Sequence, residues 1–164
     1  MPPSTTKKVV LYRWERPPVD GLINPSEYLN SGQIEWITVD GRLQLSPLQD
    51  CKALCFVSEA GKGDLFTVHN LFERRPRVQG LWTRFAFRDG GMLDGILSHN
   101  LLDWPEAGYL AVPPQARANR QRVFIPRTAL TSTELLGVVG AGSASLRKGD
   151  RIKIAAGRQI SMFD

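Results

Sequence analysis

The stretch Trp82-Thr83-Arg84-Phe85-Ala86-Phe87-Arg88, followed by Asp89-Gly90-Gly91 and then Met92-Leu93-Asp94-Gly95-Ile96-Leu97-Ser98, decides how this chain is read. Apolar and polar residues alternate from Trp82 to Arg88, the two-residue period of a strand with one buried face. Asp89-Gly90 has the backbone freedom that a tight hairpin turn demands. Leu93 to Leu97 return as the second strand. Gly95 sits inside it, where a missing Cβ lets a strand bend sharply.

Working outward, the same grammar continues. Gly108 to Val112, Arg122 to Pro126 and Glu134 to Val139 read as further strands, separated by polar or proline-bearing loops. Upstream, strands are expected at residues 8–14, 19–24, 33–39, 43–45 and 52–57, with Asp40-Gly41 as a second hairpin turn and residues 25–32 as a loop. The two halves repeat. Val19-Asp20-Gly21-Leu22-Ile23-Asn24 matches Leu93-Asp94-Gly95-Ile96-Leu97-Ser98. Arg42 to Pro47 matches Arg122 to Pro126 with a one-residue slip, and Leu54-Cys55-Phe56-Val57 matches Leu135-Leu136-Gly137-Val138. The expected architecture is therefore mainly β with little helix. A first small barrel covers 7–57, a linker 58–80, a second barrel 81–139, and a flexible basic tail 140–164. Units this small bury a limited fraction of their surface, so the two are expected to pack together.

The second unit resembles the Sm-like, SH3-like fold of the Sm and Hfq proteins. The matching residues are the strand Trp82–Arg88, Asp89-Gly90, Leu93-Asp94-Gly95-Ile96-Leu97, a long connection, and Val123-Phe124-Ile125-Pro126 before a last short strand. The resemblance implies two tandem small barrels. It does not carry RNA binding with it: Hfq-type proteins have a Lys-His pair before the last strand, and this chain has Ile125-Pro126-Arg127-Thr128 there. The runs Lys52 to Val57 and Arg75 to Trp82 also resemble a family of uncharacterised bacterial proteins, which implies a bacterial source. A PilZ barrel is disfavoured, because Arg74 to Arg77 has the wrong spacing and no second motif follows.

Of 164 residues, 42% are hydrophobic and 23% charged, ordinary values for a globular protein. No run reaches the ~20 apolar residues of a membrane helix. Met1 to Lys8 has no apolar region of the kind a signal peptide carries, so a cytoplasmic location is expected. The net charge of +5 is concentrated in residues 140–164, which hold five basic and two acidic side chains. A body so nearly neutral argues against a phosphate-gripping face. The cysteines, Cys51 and Cys55, sit four apart, a metal site would need more ligands nearby, and His69 and His99 stand alone, so the pair reads as small buried apolar groups and no metal is expected.

No phosphate loop, nucleophile elbow or His-Glu-x-x-His motif occurs, and no cofactor is implied. Asp20 and Asp94 occupy matching repeat positions beside glycines, which turn or bend geometry explains. His69 and His99 read as loop residues. Trp14, Trp36, Trp82 and Trp104 read as core or as contacts between the units. An enzyme is not expected.

The remaining signal is Gln159-Ile160-Ser161-Met162-Phe163. This run resembles the pentapeptide by which bacterial proteins bind the replication sliding clamp. The resemblance gives Gln159 a hydrogen bond at the pocket rim, Ile160 a shallow subsite, Met162 and Phe163 the deep apolar pocket, and Ser161 an outward position. The same residues also suit a cap folded back on the body. The leading expectation is a non-enzymatic adaptor with a protein partner docked through this tail. The alternatives are a nucleic-acid-binding protein using Arg74, Arg75 and Arg77 together with the basic tail, and a structural or oligomerising domain.

Overall fold

The computed structural model describes residues 6–59, 66, 70–114 and 120–140. The segment Gln159–Phe163 lies outside them. Eleven strands account for most of the described chain, and no α-helix occurs among the described residues. In chain order they are β1 (Lys7–Arg13), β2 (Val19–Ile23), β3 (Leu29–Asn30), β4 (Gln33–Thr38), β5 (Leu43–Pro47), β6 (Cys51–Val57), β7 (Gly80–Phe87), β8 (Met92–Leu97), β9 (Gly108–Ala111), β10 (Arg120–Pro126) and β11 (Leu130–Val139). Short 3-10 turns at Leu48–Asp50 and Arg127–Ala129 precede β6 and β11, and a third spans Leu101–Asp103.

The repeat seen in the sequence is a repeat of pairing. Leu11, Val10 and Val9 face Val19, Asp20 and Gly21 across β1 and β2. Phe85, Arg84 and Thr83 face Leu93, Asp94 and Gly95 in the same order across β7 and β8. The last strand of each half then returns to pair with the first, β6 on β1 and β11 on β7. Each return skips one residue near its start. Tyr12 and Arg13 face Ala53 and Cys51, passing over Lys52. Ala86 and Phe87 face Ser132 and Leu130, passing over Thr131. These shared bulges fix the true correspondence of the last strands. Leu54-Cys55-Phe56 is equivalent to Thr133-Glu134-Leu135, two residues earlier than the apolar match in the sequence indicated.

The expected pair of closed barrels is not what the pairing forms. One sheet runs β3-β4-β2-β1-β6-β10-β9 with β5 on the far side of β4, the other runs β11-β7-β8, and neither closes. A single bridge, Ile96 to Val112, ties β8 to the end of β9. The sheet also crosses from one half into the other, because β10 pairs antiparallel with β6. Residues 70–79, read as part of a linker, lie along the second half. The backbone N–H of Asp94 donates to the Asn70 carbonyl, and Pro76 is buried.

This arrangement places strands between two cores. Val10, Tyr12, Ala53, Cys55, Val123 and Ile125 face one core with Phe85, Phe87 and Leu93. Val9, Leu11, Leu54 and Phe124 face the other with Ile23, Ile34 and Trp36. A strand covered on both sides has no polar face to show, so β1, β6 and β10 carry continuous apolar runs, whereas β7 alternates. The bulge at Lys52 also reverses the side-chain alternation between the two cysteines, since one extra residue flips every following side chain to the other face. Cys51 and Cys55 therefore point into opposite cores, both buried and with no disulfide between them.

Candidate ligand corner at the end of the first strand

Where β1 ends, the chain turns through Glu15, whose φ of 56° lies in the left-handed region that L residues seldom adopt. The turn folds Trp14 back onto the body. The Trp14 backbone N–H donates to the Asp50 carbonyl at 3.2 Å, and its ring packs against the first core. Its counterpart at the end of β7 is Arg88. The two equivalent positions meet, with the Arg88 guanidinium 4.4 Å from the centre of the Trp14 ring. Lys52, the bulge residue of β6, completes the corner. Its ammonium lies 3.9 Å from the Phe66 ring centre and 2.8 Å from an Asp89 carboxylate oxygen. Burial works to raise the Asp89 carboxyl, but hydrogen bonds from Lys52 and the Gly91 backbone outweigh it and hold the group below its ordinary range.

Arg13, Trp14, Arg16 and Asp50 line a small cleft of about 180 Å³ here. Three of the four tryptophans have an acceptor for the indole N–H. Trp36 donates to Ser46 Oγ at 2.9 Å, Trp82 to Asp94 at 3.3 Å and Trp104 to the Ser98 carbonyl at 2.6 Å. Among the described residues Trp14 Nε1 has none, and neither does Arg13 Nε, although both atoms are buried. A buried donor without a partner costs about 1–3 kcal/mol. Both atoms belong to residues that line this cleft together with exposed Arg16, so the donors lie beneath its wall beside a positive charge. Burial, with Asp50 adding to it, pushes the neighbouring Cys51 thiol up to about 11, partly offset by the Arg13 charge.

Two larger clefts flank β9 and β10, of about 440 and 340 Å³, and both are lined by Leu110 and Arg122. The first holds Ser98, His99 and Asp103, three residue types that hydrolases combine. Their contacts are those of a folded loop. The Ser98 hydroxyl donates to Asp103 at 3.0 Å, and the His99 ring meets the Gln79 amide at 3.2 Å, so the hydroxyl and the imidazole are not joined as nucleophile and base. Among the described residues no group of three His, Cys, Asp or Glu side chains is placed to hold a metal, and no helix is long and apolar enough to cross a membrane.

The arginines singled out in the sequence are not part of the corner. Arg74, Arg75 and Arg77 are exposed. Arg75 Nη2 donates to the Val138 carbonyl at 2.7 Å, which makes it a cap on the end of β11 remote from Arg88. Asp94, read as a bend residue, is fully buried. It accepts from Arg84 Nε at 2.7 Å, Arg84 Nη2 at 3.1 Å, the Phe72 backbone N–H at 3.0 Å and Trp82 Nε1. That hydrogen bond from Arg84 to Asp94 pushes the guanidinium further above its ordinary range. Arg13, Arg16 and Arg88 escaped the sequence reading because only the repeat register shows that Trp14 and Arg88 are equivalent and adjacent.

Comparison with curated proteins and with solved structures gives no match. A family model described as a family of unknown function, DUF6982, matches residues 5–137, a span holding all of β1 to β10 and most of β11, so the chain belongs to that family.

Proposed function

We propose that this protein is a non-enzymatic adaptor whose body grips an acidic side chain of a protein partner at the Arg13–Trp14 corner. One observation carries the reading. Trp14 Nε1 and Arg13 Nε are buried donors without an acceptor among the described residues, on two residues that line one cleft, while every other tryptophan has a partner. A carboxylate offers two oxygens to two N–H groups, and Arg16 adds charge at the rim. The body is close to neutral, which favours a single acidic group over a long phosphate backbone. Gln159-Ile160-Ser161-Met162-Phe163 supplies the second contact of the adaptor, to the bacterial sliding clamp, on the strength of its sequence.

The body is tested with fluorescein-labelled decaglutamate by anisotropy. Binding should weaken with salt, fall about tenfold in Trp14→Phe, which keeps a ring and removes the N–H, and fall further in Arg16→Ala. No binding at millimolar peptide would remove the reading, and binding confined to a labelled oligothymidylate would replace it with nucleic-acid recognition. The tail is tested separately with purified clamp, where Phe163→Ala should abolish capture and an unchanged affinity would remove that contact.

A further inference from the structure

Two strands at the outer limits of the molecule are paired with a strand on one side only among the described residues: β5, which pairs with β4, and the Thr133–Leu135 stretch of β11, which pairs with β7. Their apolar side chains stand in water. Leu43 is 62% exposed, Leu45 54% and Leu135 61%. A long edge carrying leucines is a template for another strand.

The repeat says which strand. Within the chain, the two halves are joined by β10 of the second half pairing with β6 of the first. By repeat position, β5 is the equivalent of β10. Each ends in a proline, Pro47 or Pro126, followed by a three-residue 3-10 turn. By the shared bulge, β11 is the equivalent of β6. The two unpaired edges are thus the same two edges that already pair at the internal junction.

We infer that a second copy of this chain docks here, β11 of one copy against β5 of the next, repeating between molecules the junction that joins the two halves within one. The internal register transfers residue by residue. Phe124 faces Leu54, Val123 faces Cys55 and Arg122 faces Phe56. The equivalents are Leu45 facing Thr133, Gln44 facing Glu134, and Leu43 facing Leu135. All six are exposed in the single chain. Leu43, Leu45, Thr133 and Leu135 fall on one face of the new pair, so the leucines leave water together. Gln44 and Glu134 fall on the other, where the amide donates to the carboxylate. The contact joins unlike surfaces, head to tail. Such contacts build rings when the rotation between copies closes and filaments when it does not.

Sedimentation of the full chain tests this. The wild type should sediment well above the 18.3 kDa of one chain at high micromolar concentration. Leu43→Lys spoils only the β5 edge and Leu135→Lys only the β11 edge. Each is an exposed position, so folding is kept, and circular dichroism checks it. Either variant alone should sediment as a monomer. An equimolar mixture leaves one intact β11 edge and one intact β5 edge, and should give a two-chain species and nothing larger. Three results overturn the inference: a monomeric wild type, a dimer formed by either variant alone (the mark of like edges pairing with like), or a mixture that stays monomeric.

Discussion

Asp20 and Asp94 hold the same place in the two halves and meet different fates. Each is followed by a glycine, and each lies directly opposite a residue of its hairpin partner. Opposite Asp20 stands Val10, which is buried in the core between the halves. Opposite Asp94 stands Arg84. The cause is what covers each strand. β1 lies between two cores and must be apolar on both faces, while one face of β7 is covered by the segment containing Phe72, with Phe72 and Trp82 in edge-to-face contact at 6.3 Å. That lid excludes water without filling the space with hydrocarbon, so a charge placed beneath it needs a full set of donors, and Asp94 has four.

The largest effect expected from this contrast is on Asp94 itself. Asp94→Ala strands a half-buried guanidinium and breaks the network around Phe72 and Trp82. It should cost about 3–5 kcal/mol in urea unfolding, against less than about 1 kcal/mol for Asp20→Ala. Equal losses would erase the distinction between the halves.

The adjacent glycines should behave alike where the aspartates differ. A Cβ on Gly95 would lie 2.7 Å from the Ala111 Cβ, and one on Gly21 would lie 2.7 Å from the Trp36 ring. Both strands pass so close to a neighbour that Gly21→Ala and Gly95→Ala should each cost about 1–3 kcal/mol, through overpacking. A cost at one position alone would show that only one half uses its glycine for close approach.

Alkaline titration separates the halves on a third count. Burial raises the phenol of Tyr28, in the core of the first half, to about 12, with the Arg122 charge working the other way. A pKa raised above its unfolded value of about 10 means stability intact below pH 10 and lost as pH climbs toward 12, when the unfolded chain ionises first. Tyr28→Phe should flatten this loss and remove a step near pH 12 from the tyrosine absorbance titration. An unaltered titration curve would place that step on another tyrosine.

The smallest contrast lies among the indoles. Trp82→Phe gives up a bond to buried Asp94, whereas Trp14→Phe gives up nothing. The Trp14 change should be cheaper by about 1 kcal/mol, and its effect should appear in ligand binding. A Trp14 variant as costly as the Trp82 variant would mean that the Trp14 N–H has an acceptor within the chain.

Composition and period alone determined that this is a β protein and that its hairpins turn at Asp40-Gly41 and Asp89-Gly90, and they pointed to the likeness of Val19–Asn24 and Leu93–Ser98, each of which forms the second strand of a hairpin. Alternation and turn chemistry are local, and the strands of both halves obey them. What the sequence could not announce depends on which face of each strand is covered. The crossing of the sheet from β6 to β10, the separation of Cys51 from Cys55 by a bulge, and the burial of Asp94 all follow from how the halves pack. So do the meeting of Trp14 with Arg88 and the exposure of the β5 and β11 edges. Side chains distant in sequence come together there under water exclusion, and no window of neighbouring residues records who the eventual neighbours will be.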